Sequence, residues 1–198
     1  IDPLHFNEKI NKFNLEKIGL IVISKSGYTA ETLSQFTSLI EILEKKNIAK
    51  NVLKDCLIIT EDKKSPLRDI AKIYNCYVLD HPMDIGGRYS VFSNVGLLPA
   101  CIGGLNISDV RLGAYDLLQE VYAGNFTEHL KSSELIFSLY EEKKINISVI
   151  MTYADSLINF GKWYLQLWSE SIGKNLKGIT PMHSIGTIDQ HSQLQLYL

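Results

Sequence analysis

The chain has 198 residues, 45% of them hydrophobic, enough for one good core or two small ones. A formal net charge of −2 gives no general electrostatic footprint for nucleic acid or an anionic membrane, so any anion site must be local. Cys56, Cys76 and Cys101 lie far apart without a C-x-x-C pair or companion histidines, and no run of 18 apolar residues occurs. These features predict buried thiols in the reducing cytoplasm, with no disulfide, metal or membrane-spanning helix.

In chain order, residues 18–23 form a short apolar run rich in β-branched side chains, which suits a strand buried on both faces of a parallel sheet. A polar turn follows, and then Leu33, Phe36, Leu39, Ile40 and Leu43 recur at helical spacing over Ala30–Lys45. Residues 56–59 read as a second strand and residues 60–64 as a polar connection. Ser65-Pro66 reads as an N-cap with proline at the first helical position, and residues 76–79 read as a third strand. Alternation of this kind predicts an α/β, doubly wound, mostly parallel sheet flanked by helices.

Beyond Gly86-Gly87 the pattern turns helical. Residues 88–101 read as one segment closed by Gly103-Gly104, residues 106–109 offer caps for a helix over 110–122, and a further helix spans 127–143. Residues 147–151 form another buried strand, with Asp155 as cap of a long helix through Trp168. A boundary near Gly103-Gly104 divides the chain into residues 1–104 and 105–198. No solenoid-period repeat and no low-complexity segment is present.

Residues 24–32 sit between a buried strand and a helix start, where unpaired backbone N–H groups and the helix dipole favour an anion. Hydroxyls at Ser24, Ser26, Thr29 and Thr32 surround the turn and Lys25 adds charge, which suits a phosphate monoester. It is not a Walker A loop. Serine and threonine are also preferred N-caps, so spacing alone leaves a capped surface loop and a phosphate cradle both open.

The nine residues together resemble the phosphate-binding turn of sugar isomerase (SIS) domains, which bind phosphosugars in general. Gly86-Gly87-Arg88-Tyr89-Ser90-Val91-Phe92-Ser93 is more specific. It resembles the G-G-R-[FY]-S-V-[FW]-S signature of the glucose-6-phosphate isomerase family. Residues 166–174, with Gln166, Glu170, Ser171, Gly173 and Lys174, resemble that family's Q-x-x-x-E-S-x-G-K segment. Residues 186–193 resemble its G-x-x-x-Q-H segment, in the D-Q-H-S-Q-L-Q form associated with bacterial members. The four motifs occur in order from Ser24 to Gln195. By this resemblance the chain holds parts of two SIS domains, the first over residues 1–104. Linking helices and the start of the second occupy residues 105–198.

Carried over residue by residue, the resemblance implies that Ser24, Lys25, Ser26, Thr29 and Thr32 hold the phosphate. Gly87 and Arg88 would lie beside the reacting carbons, and Gln166 would help position the sugar. Glu170 would be the proton-transfer base and His191 would act in ring opening, reaching across a homodimer interface in the family. No cofactor and no metal are implied. On residue type alone, Arg88 reads as a surface arginine, Glu170 as a solvated charge and His191 as a capping or core histidine. The expected function is interconversion of glucose 6-phosphate and fructose 6-phosphate, in glycolysis and gluconeogenesis. The alternatives are a non-catalytic phosphosugar-binding SIS module and an SIS enzyme acting on an amino-sugar phosphate.

The family also carries a lysine near its C-terminus that assists at the ring oxygen, whereas only residues 192–198, none of them lysine, follow His191. The chain is therefore expected to be a central fragment, with unpaired sheet edges and core-facing apolar surface that favour self-association. In a coupled assay, purified residues 1–198 are expected to give little or no isomerase turnover. Turnover at the level of whole family members would overturn that expectation.

Overall fold

The computed structural model describes residues 2–125 and 127–198, and the chain divides into two units, Ile1–Leu105 and Asn106–Leu198. The first unit opens with α1 (Pro3–Ile10), which the pattern above did not anticipate. Its signal is present, because the Asp2 carboxylate accepts from the Leu4 and His5 N–H groups and Pro3 occupies the first turn. A 3-10 turn over Leu15–Lys17 leads into β1 (Ile21–Ile23). This strand is shorter than the apolar run of residues 18–23, since ladder pairing begins only at Ile21.

After β1 come α2 (Ala30–Lys45), the short α3 (Ala49–Leu53), β2 (Leu57–Thr60), α4 (Pro66–Tyr74) and β3 (Tyr77–Asp80). The helical spacing of α2 places Phe36, Leu39, Ile40 and Leu43 in the interior, as its period predicts. Ser65 caps α4 by accepting from the Arg68 N–H at 3.4 Å. Asn75, in the left-handed region at φ 56°, ends α4 and turns the chain into β3. The sheet order is β1-β2-β3, every pairing parallel.

β2 is the central strand, and Ile58 and Ile59, which point to opposite faces, are both fully buried. The core joins Val22 and Ile58 of the sheet to Phe36, Leu39, Ile40 and Leu43 of α2, Val52 and Leu53 of α3, and Leu67 and Ala71 of α4. Cys56 is sealed in this core, and burial pushes its thiol up to about 12, with the neighbouring Cys76 adding to the shift.

Residues 88–101 are not one helix. A 3-10 turn over Gly87–Phe92 precedes α5 (Asn94–Ile102), and Ser93 breaks the two apart by accepting from the Val95 N–H at 3.3 Å. The turn folds back so closely on α5 that a Cβ at Gly96 would lie 2.1 Å from the Val91 carbonyl oxygen. Glycine is the residue that permits this approach.

The second unit contains α6 (Ile107–Tyr122), α7 (Thr127–Lys143), β4 (Ile147–Thr152), α8 (Ile158–Ile172), β5 (Thr180–Ile185) and α9 (Leu194–Tyr197). Asn106, one of the caps read from the sequence, caps α6, which starts at Ile107, three residues earlier than expected. Asp155 does not cap α8. It belongs to a separate 3-10 turn, Asp155–Leu157, and α8 continues past Trp168 to Ile172. β5 pairs in parallel with β4 and was not anticipated, because Pro181, His183 and Ser184 break the apolar pattern of a strand.

Burial differs sharply between the units. α6 and α7 bury no residue fully, and Leu112, Tyr115, Phe137 and Tyr122 are each more than half exposed. Among the described residues no helix is long and apolar enough to cross a membrane.

Leu53 has no solvent exposure, and its truncation should leave a cavity that the packed helices cannot close. Leu53→Ala is expected to cost about 2–5 kcal/mol in urea denaturation. A change below about 0.5 kcal/mol, typical of surface sites, would contradict this core assignment.

Candidate active site

Strands β1, β2 and β3 run in parallel, so the loops that follow them leave the sheet at one edge. That edge is where open α/β sheets bind ligands. Residues 24–29 follow β1, Glu61 follows β2, and the segment from His81 to Arg88 follows β3.

The turn after β1 is built around Ser24. This residue is buried, and its hydroxyl lies 2.8 Å from the Thr29 hydroxyl and accepts from the Gly27 N–H at 3.1 Å. Gly27 has φ 70°, and a Cβ there would lie 2.3 Å from the Ser65 hydroxyl, so both conformation and space require glycine. Ser26 is exposed, its hydroxyl accepting from the Tyr28 N–H at 3.1 Å. Thr29 stands at the N-cap of α2 but makes no side-chain cap hydrogen bond there, its hydroxyl being turned to Ser24. Thr32 lies half-buried in the first turn of α2, beside Ile21, Val22 and Ile23 of β1.

The Lys25 side chain is held by the protein's own groups. Its ammonium donates to the Ile85 carbonyl at 2.7 Å and the Met83 carbonyl at 3.3 Å, and lies 3.4 Å from Glu61 Oε1. Glu61 is 6% exposed and its other carboxylate oxygen receives the Lys63 ammonium at 3.0 Å. The hydrogen bond from Lys63, followed by the weaker attraction of Lys25, holds the Glu61 carboxyl below its ordinary range despite opposing desolvation.

Arg68 reinforces the same edge. Its guanidinium donates to the Glu61 and Thr60 carbonyls at 2.8 and 3.5 Å, lies 3.3 Å from Asp62, and pairs with Asp80 at the end of β3. Sequence reading missed Glu61, Arg68 and Asp80 as site supports. The pairs that join separate elements at this edge, Lys25 with Glu61 and Arg68 with Asp80, link residues distant in sequence and leave no local signal.

The Gly86-Gly87-Arg88 segment is a tight 3-10 turn. The Ser90 hydroxyl donates to the Gly87 carbonyl at 2.6 Å, and the Tyr89 N–H to the Gly86 carbonyl at 2.9 Å. Gly87 is exposed, with open space where a Cβ would stand, so its backbone is accessible to a ligand. The Arg88 guanidinium lies 4.6 Å above the centre of the Tyr89 ring, a cation–π arrangement that keeps the charge near the turn.

In the second unit, Gln166 and Glu170 are exposed one helical turn apart on α8. The Gln166 amide donates to Glu170 Oε1 at 2.9 Å. Because α8 runs to Ile172, Glu170 stands in its last turn. His191 is exposed at the end of a 3-10 turn, Ile188–His191, that follows β5. The residues two before and two after it are tied down. Asp189 Oδ2 accepts from the Ile185 N–H at 2.6 Å, and Gln193 Oε1 accepts from the Ser184 and Tyr197 hydroxyls at 3.1 and 2.6 Å. The structure thus brings Ser24, Lys25, Ser26, Thr29, Thr32, Gly87 and Arg88 to one sheet edge within the first unit, and joins Gln166 to Glu170 within the second. Among the described residues no cluster of metal-ligating side chains occurs.

Parallel strands with a hydroxyl-rich turn at their C-terminal edge define an α/β protein of the kind that binds small ligands beyond its strand ends. The fold is shared with solved structures. A hypothetical protein from Thermus thermophilus matches all of this chain over 48% of its own, with TM-score 0.85 and 28% identity. A glucose-6-phosphate isomerase from Chlamydia trachomatis matches 98% of this chain over 39% of its own, with TM-score 0.79 and 23% identity. The family model described as Phosphoglucose isomerase matches residues 1–192, and the chain belongs to that family. Glucose-6-phosphate isomerases of Carboxydothermus hydrogenoformans and Methanocaldococcus jannaschii are 38% and 40% identical over all of this chain. The chain spans less than half of those relatives' lengths, 44% and 48%.

Glu61 is depressed in the folded state, so it contributes stability above its ordinary value of 4.5 and loses it as pH falls through the lower folded value. Glu61→Gln is expected to flatten that acid limb of the stability curve, read as urea midpoints between about pH 7 and pH 3. An unchanged slope would show that the carboxylate is not held in the charged form.

Proposed function

We propose that this chain supplies most of the active site of a glucose-6-phosphate isomerase. The reaction interconverts glucose 6-phosphate and fructose 6-phosphate by proton transfer through an enediolate. The observation that carries the proposal is the convergence, on one sheet edge, of the turn over residues 24–32 with the Gly86-Gly87-Arg88 turn. A module that only binds phosphosugars needs the first of these and not the second.

In this reading the phosphate sits on the turn, held by the Ser26, Thr29 and Thr32 hydroxyls and the N–H groups that open α2, while Ser24 shapes the turn from below. That contact performs no chemistry. It anchors the sugar remote from the reacting carbons and holds them in register. Glu170 removes the proton from carbon 2 of the open-chain aldose and returns it to carbon 1, one carboxylate serving both carbons. Negative charge appears on the enediolate as the proton leaves, and the Arg88 guanidinium stabilises that charge more than the ground state. Gln166, hydrogen-bonded to Glu170, orients the carboxylate and the sugar. His191 moves the proton between the ring oxygen and the anomeric hydroxyl during ring opening, a task suited to imidazole near neutral pH.

The same reading takes residues 1–104 as part of a first SIS domain and residues 105–198 as linking helices with the start of a second. It makes the working protein a cytoplasmic homodimer, acting in glycolysis and gluconeogenesis, with His191 donated to the partner's site. Family membership and a turn over residues 24–30 that carries no acidic side chain support a sugar phosphate as the ligand.

The test uses the chain extended by the segments its relatives carry beyond the matched stretch, assayed with fructose 6-phosphate. Glu170→Gln is expected to lower kcat by about 10²–10⁴ with KM little changed. Arg88→Ala is expected to lower kcat by about 10²–10³. Turnover of Glu170→Gln within a few-fold of wild type would remove Glu170 as the base. Phosphosugar affinity without turnover in the extended wild type would instead support the binding-module reading.

A further inference from the structure

Lys25 was expected on the phosphate, yet its ammonium has three N–H donors and three acceptors around it: Ile85 O, Met83 O and Glu61 Oε1. Its main chain is fixed as well, the Lys25 carbonyl accepting from the Glu61 N–H at 2.9 Å and the Thr60 hydroxyl at 3.2 Å. Both ends of the residue are therefore tied, one to the end of β2 and the other to the segment that leads into Gly86-Gly87-Arg88. To reach a phosphate, the ammonium would have to abandon a buried carboxylate, which would leave Glu61 with the half-exposed Lys63 in place of two cations.

We infer that Lys25 and Glu61 are positioning residues, a latch that fixes the backbone of residues 83–87 and through it Arg88, rather than ligands of the phosphate. The inference rests on the isomerase reading for its effect on turnover, but not for its structural content. The latch acts on the carbonyl oxygens of Met83 and Ile85, just ahead of the Gly86-Gly87-Arg88 turn, so its loss frees the loop while the hydroxyls of residues 24–32 stay in place. Glu61 has two tasks here: it neutralises the ammonium, and through its N–H it holds the Lys25 carbonyl.

The variants are Lys25→Met, which keeps the stem and removes the donors, and Glu61→Gln, which keeps the shape and removes the charge. Hydrogen exchange and binding of inorganic phosphate are measured on the 198-residue chain, and kinetics on the extended chain. Amides of residues 83–88 are expected to exchange faster by about tenfold in both variants, with α2 and β2 unchanged. Inorganic phosphate affinity is expected to stay within about threefold, because a lost charge-assisted ligand would cost about tenfold or more. In the extended chain kcat is expected to fall by about 10–10² at nearly constant KM, the cost of a displaced Arg88. The double variant is expected to be little worse than either single one. Loss of phosphate affinity by about tenfold in Lys25→Met, or unchanged exchange over residues 83–88 in both variants, would overturn the latch. Should the extended wild type lack turnover, the isomerase reading falls, and exchange still decides the latch.

Discussion

The first unit depends on one arrangement of charge, the Lys25 ammonium held between the Glu61 carboxylate and two carbonyls of the loop after β3. Parallel strands deliver their following loops to a common edge but do not fix those loops against each other. Loops of this length carry polar backbone that must find partners, and each partner chosen sets a distance. Lys25 supplies donors to the loop after β3 and takes hydrogen bonds on its own carbonyl from the end of β2. Arg68 does the same from α4, reaching Thr60, Glu61, Asp62 and Asp80. Two cations thus clamp three strand ends, and the hydroxyl-rich turn after β1 inherits its shape from them.

The rigid support beneath this edge is apolar. β2 is sealed on both faces, and α2, α3 and α4 close the core over β1 and β2. Gly27 marks where the edge meets the core. Its left-handed conformation and contact with Ser65 let the turn after β1 press against the start of α4, where the Leu67 N–H donates to the Gly27 carbonyl at 3.4 Å. A bulkier residue would push the hydroxyl turn away from the strand ends. The hydroxyl-rich turn at the edge and the packing below it are therefore coupled through one glycine.

Much of this was legible in the sequence, and the reasons differ by element. α2 follows from periodicity, because Phe36, Leu39, Ile40 and Leu43 are buried at helical spacing, and β1 and β2 follow from short apolar runs that the core covers. α4 was marked by its Ser65-Pro66 start although Ile73 is exposed, and β3 by an apolar run although Tyr77 and Leu79 are exposed. β5 was missed because Pro181, His183 and Ser184 are polar or conformationally restricted, and they are accommodated by tertiary partners. His183 packs against Gly161 and lies 2.9 Å from the Thr152 hydroxyl, and Ser184 is buried against Gln193 and Tyr197. The break at Ser93 was missed because Gly96 acts through a contact with Val91 that spacing does not reveal. Lys25 was expected on the phosphate through the family resemblance, since the turn itself shows only that the lysine adds charge beside the hydroxyls. The partners its ammonium has in the structure, Glu61, Met83 and Ile85, are remote in sequence and meet it only once the three strands have paired.

The same distinction orders the residues around His191. Family motifs record positions without saying which side chains meet the ligand and which hold the chain. Asp189 and Gln193 are turned inward, toward the end of β5 and the hydroxyls of Ser184 and Tyr197. His191, midway between them, is exposed. A 3-10 turn advances about 120° per residue, so residues two apart do not share a face, and an inward Asp189 leaves His191 directed elsewhere. The placement of the histidine is thereby set by side chains that are committed to the protein's own hydrogen bonds. In the first unit Lys25 and Glu61 stand to Arg88 as Asp189 and Gln193 stand to His191, and in both places the polar residues beside the proposed catalytic group serve the fold.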